Sequence, residues 1–229
     1  ICTPHYLHAE MIVYALKKNK NVLCEKPLCI SHKEISEILE AEKNSRGILG
    51  VCLQNRYNLS SIAVKEYLKD KKVLSAHGSV SWKRDEAYYK SGAWRGKKRT
   101  EGGGVLINQA IHTLDLLLYF AGKPVSVRGK VSTDELYDTI EVEDTAHGLI
   151  RFENGAVLSL ETSYSLNLKS DKGDMEFFGT RGGAKLSPEL ELFSQTCDYL
   201  SDIKLAYPTA LSFEGLFERE IRHFVECII

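Results

Sequence analysis

The amino-acid sequence predicts an α/β fold in two parts, with the boundary near residue 56. In the first part short apolar runs alternate with segments of helical periodicity, which is typical of a parallel sheet with crossover helices. In the second part residues 74–82 alternate between apolar and polar side chains, and Asn154-Gly155 joins two strand-like runs. Both patterns indicate antiparallel strands, so residues 57–229 are expected to form an α+β domain.

The first part contains two predicted helices and two predicted strands. Apolar residues at helical spacing predict a helix over residues 8–18, and the run 21–24 predicts a short buried strand. Ser31 and Glu34 form a capping box that begins the next helix, which we expect Gly47 to end. The apolar run 48–53 predicts the second strand. Ligands of such sheets bind at the carboxyl ends of the strands, where polar residues stand at 3–4, 25–26 and 54–56.

The second part mixes helices with hairpins. Glycines 102–104 precede a strongly apolar segment, predicted as one helix over residues 105–120. The hairpin at Asn154-Gly155 and a turn at residues 179–183 connect predicted strands, and residues 214–229 form a final amphipathic helix. The sequence contains no internal repeat and no low-complexity linker.

Composition excludes several classes of protein. Thirty Lys and Arg face thirty-one Asp and Glu, giving a net charge of −1, and apolar residues make up 43%. Without a basic run, neither nucleic acid nor a membrane surface is an expected partner. No apolar stretch approaches the roughly 20 residues that span a bilayer. The six cysteines lack C-x-x-C pairs, so we expect reduced thiols in a cytoplasmic protein rather than a disulfide or zinc framework.

The two ends suggest a piece of a longer protein. The chain opens on Ile1 without a methionine and stops inside an apolar run at Ile229. The absence of a signal peptide therefore has no meaning here.

A polar stripe marks the apolar helix as a candidate site. Asn108, His112 and Asp115 share one face of a segment that is otherwise apolar around most of its circumference. Because buried polar groups must be paired, the stripe is either a structural network or the wall of a cleft. In a cleft, His112 could move protons near neutral pH, with Asn108 fixing a substrate hydroxyl or the imidazole ring. Zinc is disfavoured because His112 and Asp115 have no third ligand nearby, and no metal site is predicted.

Lys26 is the second candidate, at a strand end where parallel sheets bind ligands. Its ammonium could stabilise developing negative charge, with Glu25 tuning that charge, although a solvated turn is the ordinary interpretation of such a lysine. His5 and His8 have the spacing of a metal pair, but the preferred interpretation is the first turn of a helix at the same sheet edge.

A series of motifs in order, over about 180 residues, resembles the glucose–fructose oxidoreductase, inositol dehydrogenase and rhizopine-catabolism (Gfo/Idh/MocA) family of NAD(P)-dependent sugar oxidoreductases. The first two are Thr3-Pro4-His5-x-x-His8 and the segment from Val22 to Leu28, which includes Glu25-Lys26-Pro27. The later ones are Gln54-Asn55-Arg56-Tyr57, Trp94-Arg95-Gly96, the segment from Gly102 to Asp115, Glu143-Asp144-Thr145-Ala146 and Gly179-Thr180-Arg181-Gly182-Gly183.

The resemblance implies a C-terminal remnant of a Rossmann domain at residues 1–56, whose N-terminal part is absent. It also implies a substrate-binding and oligomerisation domain with a large, open, mostly antiparallel sheet at residues 57–229. The implied cofactor is NAD or NADP, and the implied substrate is a sugar or sugar derivative. A homo-oligomer is expected through the broad sheet face that carries Val80, Trp82, Leu158 and Leu160.

The same resemblance assigns site residues. Lys26 and His112 match the catalytic positions, with Lys26 near nicotinamide and substrate and often a cis bond before Pro27. The residues expected to line the cofactor are Thr3, Pro4, His5, His8, Glu25, Lys26, Gln54, Trp94 and Arg95, and those expected to bind substrate are Arg56, Asn108 and His112. Many members have aspartate where Asn108 stands, and the asparagine form is similar to the branch that acts on nucleotide-linked or acidic amino sugars. Loss of that carboxylate puts more of the proton transfer on His112 and Lys26.

Two other functions compete with a dehydrogenase. One is an NAD-dependent glycosidase of the same family, and the other is a non-catalytic, dinucleotide-sensing regulatory protein. Among the four tyrosines that could stack on a sugar, Tyr57, Tyr88, Tyr89 and Tyr164, ordinary packing is the first expectation. Without a glycine-rich phosphate loop, this chain is expected to bind NAD(P) weakly or not at all.

Overall fold

The computed structural model describes residues 1–165, 171–186, 190–194 and 214–229. Its first part alternates helices and strands as predicted. A 3₁₀ turn at His5–Leu7 leads into α1 (His8–Lys17), β1 (Val22–Cys24), α2 (His32–Lys43) and β2 (Leu49–Val51). β1 and β2 pair in parallel, with Val22 opposite Leu49. The carboxyl ends of both strands therefore point to the same edge, as the sequence predicted.

The predicted cap of α2 is present. The Glu34 N–H donates to Ser31 Oγ at 3.2 Å, and the Glu34 carboxylate accepts from the Ile30 N–H at 2.8 Å. The helix ends at Lys43 rather than at Gly47. Gly47 instead allows two backbone segments to meet, because a Cβ there would lie 2.2 Å from the Lys20 carbonyl oxygen.

The second part is built around one large mixed sheet. Its helices are α3 (Leu59–Leu68), α4 (Glu86–Lys90), α5 (Val105–Asn108), α6 (Ala110–Ala121) and α7 (Leu216–Glu226), with a 3₁₀ helix at Gln54–Tyr57 before them. Its strands are β3 (Val73–Ser81), β4 (Pro124–Ser132), β5 (Thr145–Phe152), β6 (Val157–Ser163), β7 (Lys172–Gly179), β8 (Gly182–Leu186) and β9 (Glu191–Ser194). The strand order is β4-β5-β6-β3-β7-β8-β9, and β3 and β6 are the parallel pair among these described strands. The prediction of a large, mostly antiparallel sheet is confirmed.

Helix α6 lies across one face of this sheet and builds the main core. Leu116 and Leu117 of α6 pack with Leu158 of β6 and Phe177 of β7, and all of them are buried. The turn between β5 and β6 falls at Asn154-Gly155 as predicted, with Gly155 at φ +87°, a conformation that favours glycine.

The predicted helix over residues 105–120 is wrong in one respect, because Gln109 divides it into α5 and α6. In a continuous helix the Asn108 carbonyl would accept from the His112 N–H. Here that carbonyl accepts from the Lys26 ammonium at 2.6 Å, and the His112 N–H donates to the Gln109 carbonyl at 3.4 Å. The break therefore coincides with a contact from the first part of the chain.

The predicted oligomer face is also wrong. Val80, Leu158 and Leu160 are at most 7% exposed, because they lie on the sheet face that packs on the helices, and Trp82 is partly buried. Side chains alternate between the two faces of a sheet, so the open face carries the opposite set. Its exposed apolar residues are Leu149, Val157, Phe178 and Phe193.

The expectations about cysteines, metal ligands and membrane spans can be compared with the described residues. Cys2, Cys24, Cys29, Cys52 and Cys227 are free thiols there, and Cys197 lies outside the described ranges. In the same residues no cluster of three or more metal-ligating side chains occurs. No described helix has both the length and the apolarity needed to cross a bilayer.

Candidate functional site

Lys26 reaches from the end of β1 into the second part of the chain. Its Nζ donates to the Asn108 carbonyl at 2.6 Å, and the Lys26–Pro27 peptide bond is cis, as the resemblance implied. Burial lowers the pKa of this ammonium, while the carboxylates of Glu25 and Glu101 oppose that shift. The direction of the Glu25 effect agrees with the suggested tuning of the Lys26 charge, and Glu101 acts in the same direction.

Asn108 is held by hydrogen bonds on its side-chain amide. Its Nδ2 donates to Glu101 Oε1 at 2.6 Å and to the Tyr88 hydroxyl at 3.1 Å. Both amide protons are thereby used, which leaves Oδ1 to accept a bond from a substrate hydroxyl. The predicted partnership between Asn108 and the His112 ring is absent, because the amide points to Glu101 and Tyr88.

Glu101 is the site residue that sequence reasoning missed. It is 1% exposed, accepts from the Gly96 N–H and Asn108, and its own carbonyl accepts from His5 Nδ1 at 2.8 Å. Burial raises the pKa of its carboxyl. The available signal was an acid immediately before the triple glycine, seven residues ahead of Asn108. A carboxylate is therefore present beside Asn108, although position 108 itself lacks one.

His112 presents a neutral imidazole beside Lys26. Its Nδ1 is buried and has no hydrogen-bond partner in the described part of the chain. Burial, and secondarily the Lys26 charge, lowers the pKa of His112 to about 4. A neutral imidazole at physiological pH can accept a proton, which is what a general base requires.

His5 and His8 differ in their surroundings. The His5 ring lies 4.7 Å from the Trp94 ring, centroid to centroid, and burial lowers its pKa to about 4. His8 is fully buried, with one ring nitrogen 2.7 Å from the Pro27 carbonyl oxygen and the other 2.8 Å from that of Thr3. His8 can therefore serve a cofactor site by positioning the 3–5 segment, where Thr3 and Pro4 also lie.

Arg56 and Asp115 form an ion pair between the 3₁₀ helix and α6. Arg56 Nε donates to Asp115 Oδ2 at 2.7 Å, a second bond joins Nη2 to Oδ1, and the guanidinium lies over the Tyr119 ring. Asp115, the third member of the predicted stripe, is thus used in this pair. Gln54 begins the same 3₁₀ helix.

Tyr88, Trp94 and Arg95 contact one another at the edge of the candidate site. Arg95 Nη1 donates to the Tyr88 hydroxyl at 2.7 Å, and its guanidinium lies over the Trp94 ring at 4.7 Å. Its bonds to Arg95 and Asn108 make Tyr88 a further candidate site residue. Tyr89 and Tyr164 are buried packing residues, as expected, and Tyr57 lies beside His223.

Comparison with known proteins identifies the family. Residues 1–53 match the oxidoreductase family with an NAD-binding Rossmann fold, and residues 70–185 match the GFO/IDH/MocA C-terminal domain. The chain belongs to the Gfo/Idh/MocA family.

Its curated relatives include D-glucoside 3-dehydrogenase of Escherichia coli, 29% identical over 213 residues. That alignment covers 82% of this chain and 58% of the relative. Levoglucosan dehydrogenase of Pseudarthrobacter phenanthrenivorans is 28% identical over 208 residues, covering 80% and 53%. The chain thus spans little more than half the length of these relatives.

Solved structures show the same fold. WlbA dehydrogenase from Bordetella pertussis, in complex with NADH and UDP-GlcNAcA, superimposes with a TM-score of 0.81 at 23% identity, covering 99% of this chain and 63% of that one. A levoglucosan dehydrogenase in complex with NADH and levoglucosan gives 0.84 at 24% identity, covering 99% and 69%.

The low pKa of His112 predicts a pH effect on stability. Its imidazole binds a proton near pH 6.5 when unfolded but only near pH 4 when folded, so acid favours unfolding through this group. We expect the unfolding free energy of His112→Gln, relative to that of the unaltered protein, to increase as pH falls from 7 to 4. The relative gain should reach up to about 3 kcal/mol, since each pKa unit is worth about 1.4 kcal/mol. Urea titrations at several pH values measure it.

His32→Gln, at the exposed first residue of α2, is the control for removal of a histidine. A pH-independent difference between His112→Gln and the unaltered protein would show that folding leaves the proton affinity of His112 unchanged.

Proposed function

We propose that the protein is an NAD(P)-dependent oxidoreductase, a dehydrogenase that moves a hydride between a sugar-type hydroxyl and nicotinamide. One observation carries the proposal: a partly buried ammonium, a neutral imidazole and a buried carboxyl converge at the carboxyl end of β1 through Lys26, His112 and Glu101. The matched family descriptions and the names of the relatives support the same activity.

The residues at the strand ends fit the nicotinamide end of a dinucleotide. Thr3 is linked to the turn after β1, because the His8 ring contacts the carbonyls of both Thr3 and Pro27. The adjoining His5 ring lies against the Trp94 ring of the second part of the chain. These residues, with Gln54 and Arg95 at the border, would hold the cofactor. When bound, nicotinamide supplies the acceptor for a hydride.

His112 is proposed as the general base. During oxidation the substrate hydroxyl loses its proton as the adjacent carbon loses a hydride, and the neutral imidazole is in the correct state to accept that proton. In the reverse direction the protonated imidazole returns it. That no described residue bonds to its Nδ1 supports a role for this histidine beyond packing.

Lys26 is proposed to stabilise the negative charge that develops on the substrate oxygen. Asn108 is proposed to accept a hydrogen bond from a substrate hydroxyl through Oδ1 and to position Lys26 through its backbone carbonyl. Glu101 would fix the orientation of the Asn108 amide and offset the charge of Lys26. Arg56 would border the substrate from the 3₁₀ helix.

The proposal includes assembly and location. Two copies of the chain are proposed to associate through the open sheet face, which carries Leu149, Val157, Phe178 and Phe193. The location is proposed to be cytoplasmic, in line with the free thiols of the described cysteines.

Substitution of the two central residues tests the activity. In the full-length protein, Lys26→Met and His112→Ala should each lower kcat at least about a hundredfold, because each removes a group that acts on the reacting oxygen or its proton. NADH or NADPH formation is followed by absorbance, and product analysis with free sugars and glycosides separates a dehydrogenase from a glycosidase.

Lys33→Met and His32→Ala are the matched controls, since both residues are exposed in the first turn of α2. They should retain the turnover of the unaltered protein. Unchanged turnover in both Lys26→Met and His112→Ala would refute the assignment.

Light scattering tests the assembly. We expect the unaltered protein to be a dimer or larger, and Leu149→Arg to dissociate it, because a charge would replace an exposed apolar side chain at the proposed contact. Tyr137→Arg, an exposed position outside the strands, is the control. A monomeric unaltered protein at all concentrations would contradict the proposed interface.

A further inference from the structure

The connector between β2 and α3, residues 52–58, carries two of the proposed site residues. Gln54 is proposed to border the cofactor, and Arg56 is proposed to border the substrate. The Arg56 guanidinium is bonded to Asp115 of α6, a contact that fixes the end of one side chain. The backbone of the connector, from which both side chains project, must be held by other groups.

Helix α7 packs on this connector and bonds to its backbone. The Arg219 Nε donates to the Tyr57 carbonyl at 2.9 Å, and the Glu220 carboxyl accepts from the Leu53 N–H. Leu53 precedes the 3₁₀ helix of the connector and Tyr57 is its last residue. The two bonds from α7 therefore hold that short helix at both of its ends.

The inward face of α7 carries this carboxyl group between two apolar side chains. Leu216 is fully buried, and the Phe224 ring packs on β2, where a Cβ at Gly50 would lie 2.7 Å from it. Glu220, at helical spacing between them, is 3% exposed, whereas the neighbouring Ile221 is 51% exposed. Burial of apolar surface alone would favour the reverse arrangement. The bond to the connector gives the buried acid a function that packing does not.

Burial, and to a smaller extent the negative charge of Glu25, raises the pKa of Glu220 to about 7. Glu25 lies in the turn after β1. The other titratable groups that interact with Glu220 from the connector are the Cys52 thiol and the Tyr57 hydroxyl. Burial raises the pKa of Cys52 to about 12 and also raises that of Tyr57, so both groups are neutral near pH 7.

Two further groups of α7 lie beside this cluster. The His223 ring, one turn beyond Glu220, is 5.7 Å from the Tyr57 ring, centroid to centroid. The Arg219 guanidinium is used on backbone carbonyls, since its Nη2 donates to that of Glu214 at 3.3 Å. An experiment on Glu220 must therefore separate the carboxyl from the imidazole.

We propose that Arg219 and Glu220 are positioning residues of the candidate site, which hold the connector in the conformation that presents Gln54 to the cofactor and Arg56 to the substrate. Helix α7 thereby contributes to binding without contacting either ligand. This inference rests on the proposed function, because it concerns the same site.

The carboxyl makes this contact depend on pH. When α7 is docked, Glu220 releases its proton near pH 7, and when α7 is released it does so near the ordinary value of 4.5. Between these values the docked form binds more protons, so a rise in pH favours release. The contribution of the neutral carboxyl is complete below pH 4.5 and is lost as pH rises through 7.

Hydrogen exchange of the connector, followed by mass spectrometry, tests the positioning in this chain. Glu220→Leu cannot accept from the Leu53 N–H, and Arg219→Met keeps the aliphatic stem but removes the donor. Each should raise the exchange rate of connector amides at least about fivefold, while β6 keeps its protection. Glu218→Gln, which removes an exposed ion pair with Arg222 on the same helix, is the control. Circular dichroism establishes that each variant is folded.

Glu220→Gln is the rescue variant, because its amide oxygen accepts as a neutral carboxyl does. It should restore the protection lost in Glu220→Leu. The exchange rate of the unaltered protein, divided by that of Glu220→Gln at the same pH, should rise at least about tenfold from pH 5 to pH 7. His223→Gln, which removes the imidazole beside Tyr57, should keep the pH dependence of the unaltered protein.

Binding and turnover in the full-length protein separate positioning from catalysis. NADH and NADPH are titrated by fluorescence, and Glu220→Leu should raise the Kd of the preferred dinucleotide at least about fivefold. The kcat should change less than about threefold, because Lys26 and His112 are untouched. Glu220→Gln and Glu218→Gln should keep both values.

Unchanged connector exchange in both Glu220→Leu and Arg219→Met would overturn the inference, and so would an equal loss of protection in β6. Equal pH dependence in Glu220→Gln and the unaltered protein, or faster connector exchange with an unchanged dinucleotide Kd, would also contradict it. The exchange measurements need neither cofactor nor turnover. The expected exchange and binding results in a full-length protein without hydride transfer would refute the proposed function alone.

Discussion

The site depends on one hydrogen bond, from the Lys26 ammonium to the Asn108 carbonyl at 2.6 Å. This bond joins the end of β1 to the break between α5 and α6, so it connects the two parts of the chain at the proposed reaction centre. It uses the carbonyl that a continuous helix would have given to the His112 N–H. The break in turn allows Asn108 and His112 to project from two short helices rather than from one rigid face.

Burial of that ammonium has electrostatic consequences for its neighbours. The positive charge contributes to the low pKa of His112, although burial of the imidazole is the larger cause. Glu25 and Glu101 in turn favour the charged form of Lys26. A cationic lysine and a neutral histidine can therefore coexist in one site, which is the pair of protonation states that alcohol oxidation requires.

Much of this arrangement could be predicted from sequence because it follows from local periodicity and strand ends. The alternating elements of residues 1–53, the hairpin at Asn154-Gly155 and the candidates Lys26 and His112 are of this kind. Glu101 could not be found in the same way, since an acid before three glycines is also typical of a solvated turn, and only the tertiary contacts with Gly96 and Asn108 show that it is buried.

Two errors have a similar origin. The break at Gln109 depends on Lys26, about 80 residues earlier, which no local helical pattern records. The sheet face that the sequence predicts for assembly carries the more apolar side chains. Apolarity alone does not tell whether a helix of the same chain or a second chain covers a face. Helix α6 covers Leu158 and Leu160.

The most direct measurement of the proposed chemistry follows the hydride itself. A sugar substrate carrying deuterium on the carbon of the reacting hydroxyl is incubated with the full-length protein and oxidised dinucleotide, and the reduced dinucleotide is examined by mass spectrometry and NMR. We expect one deuterium at C4 of the nicotinamide ring, on a single face. Product formed without deuterium in the dinucleotide, or deuterium lost to water, would contradict hydride transfer at this site.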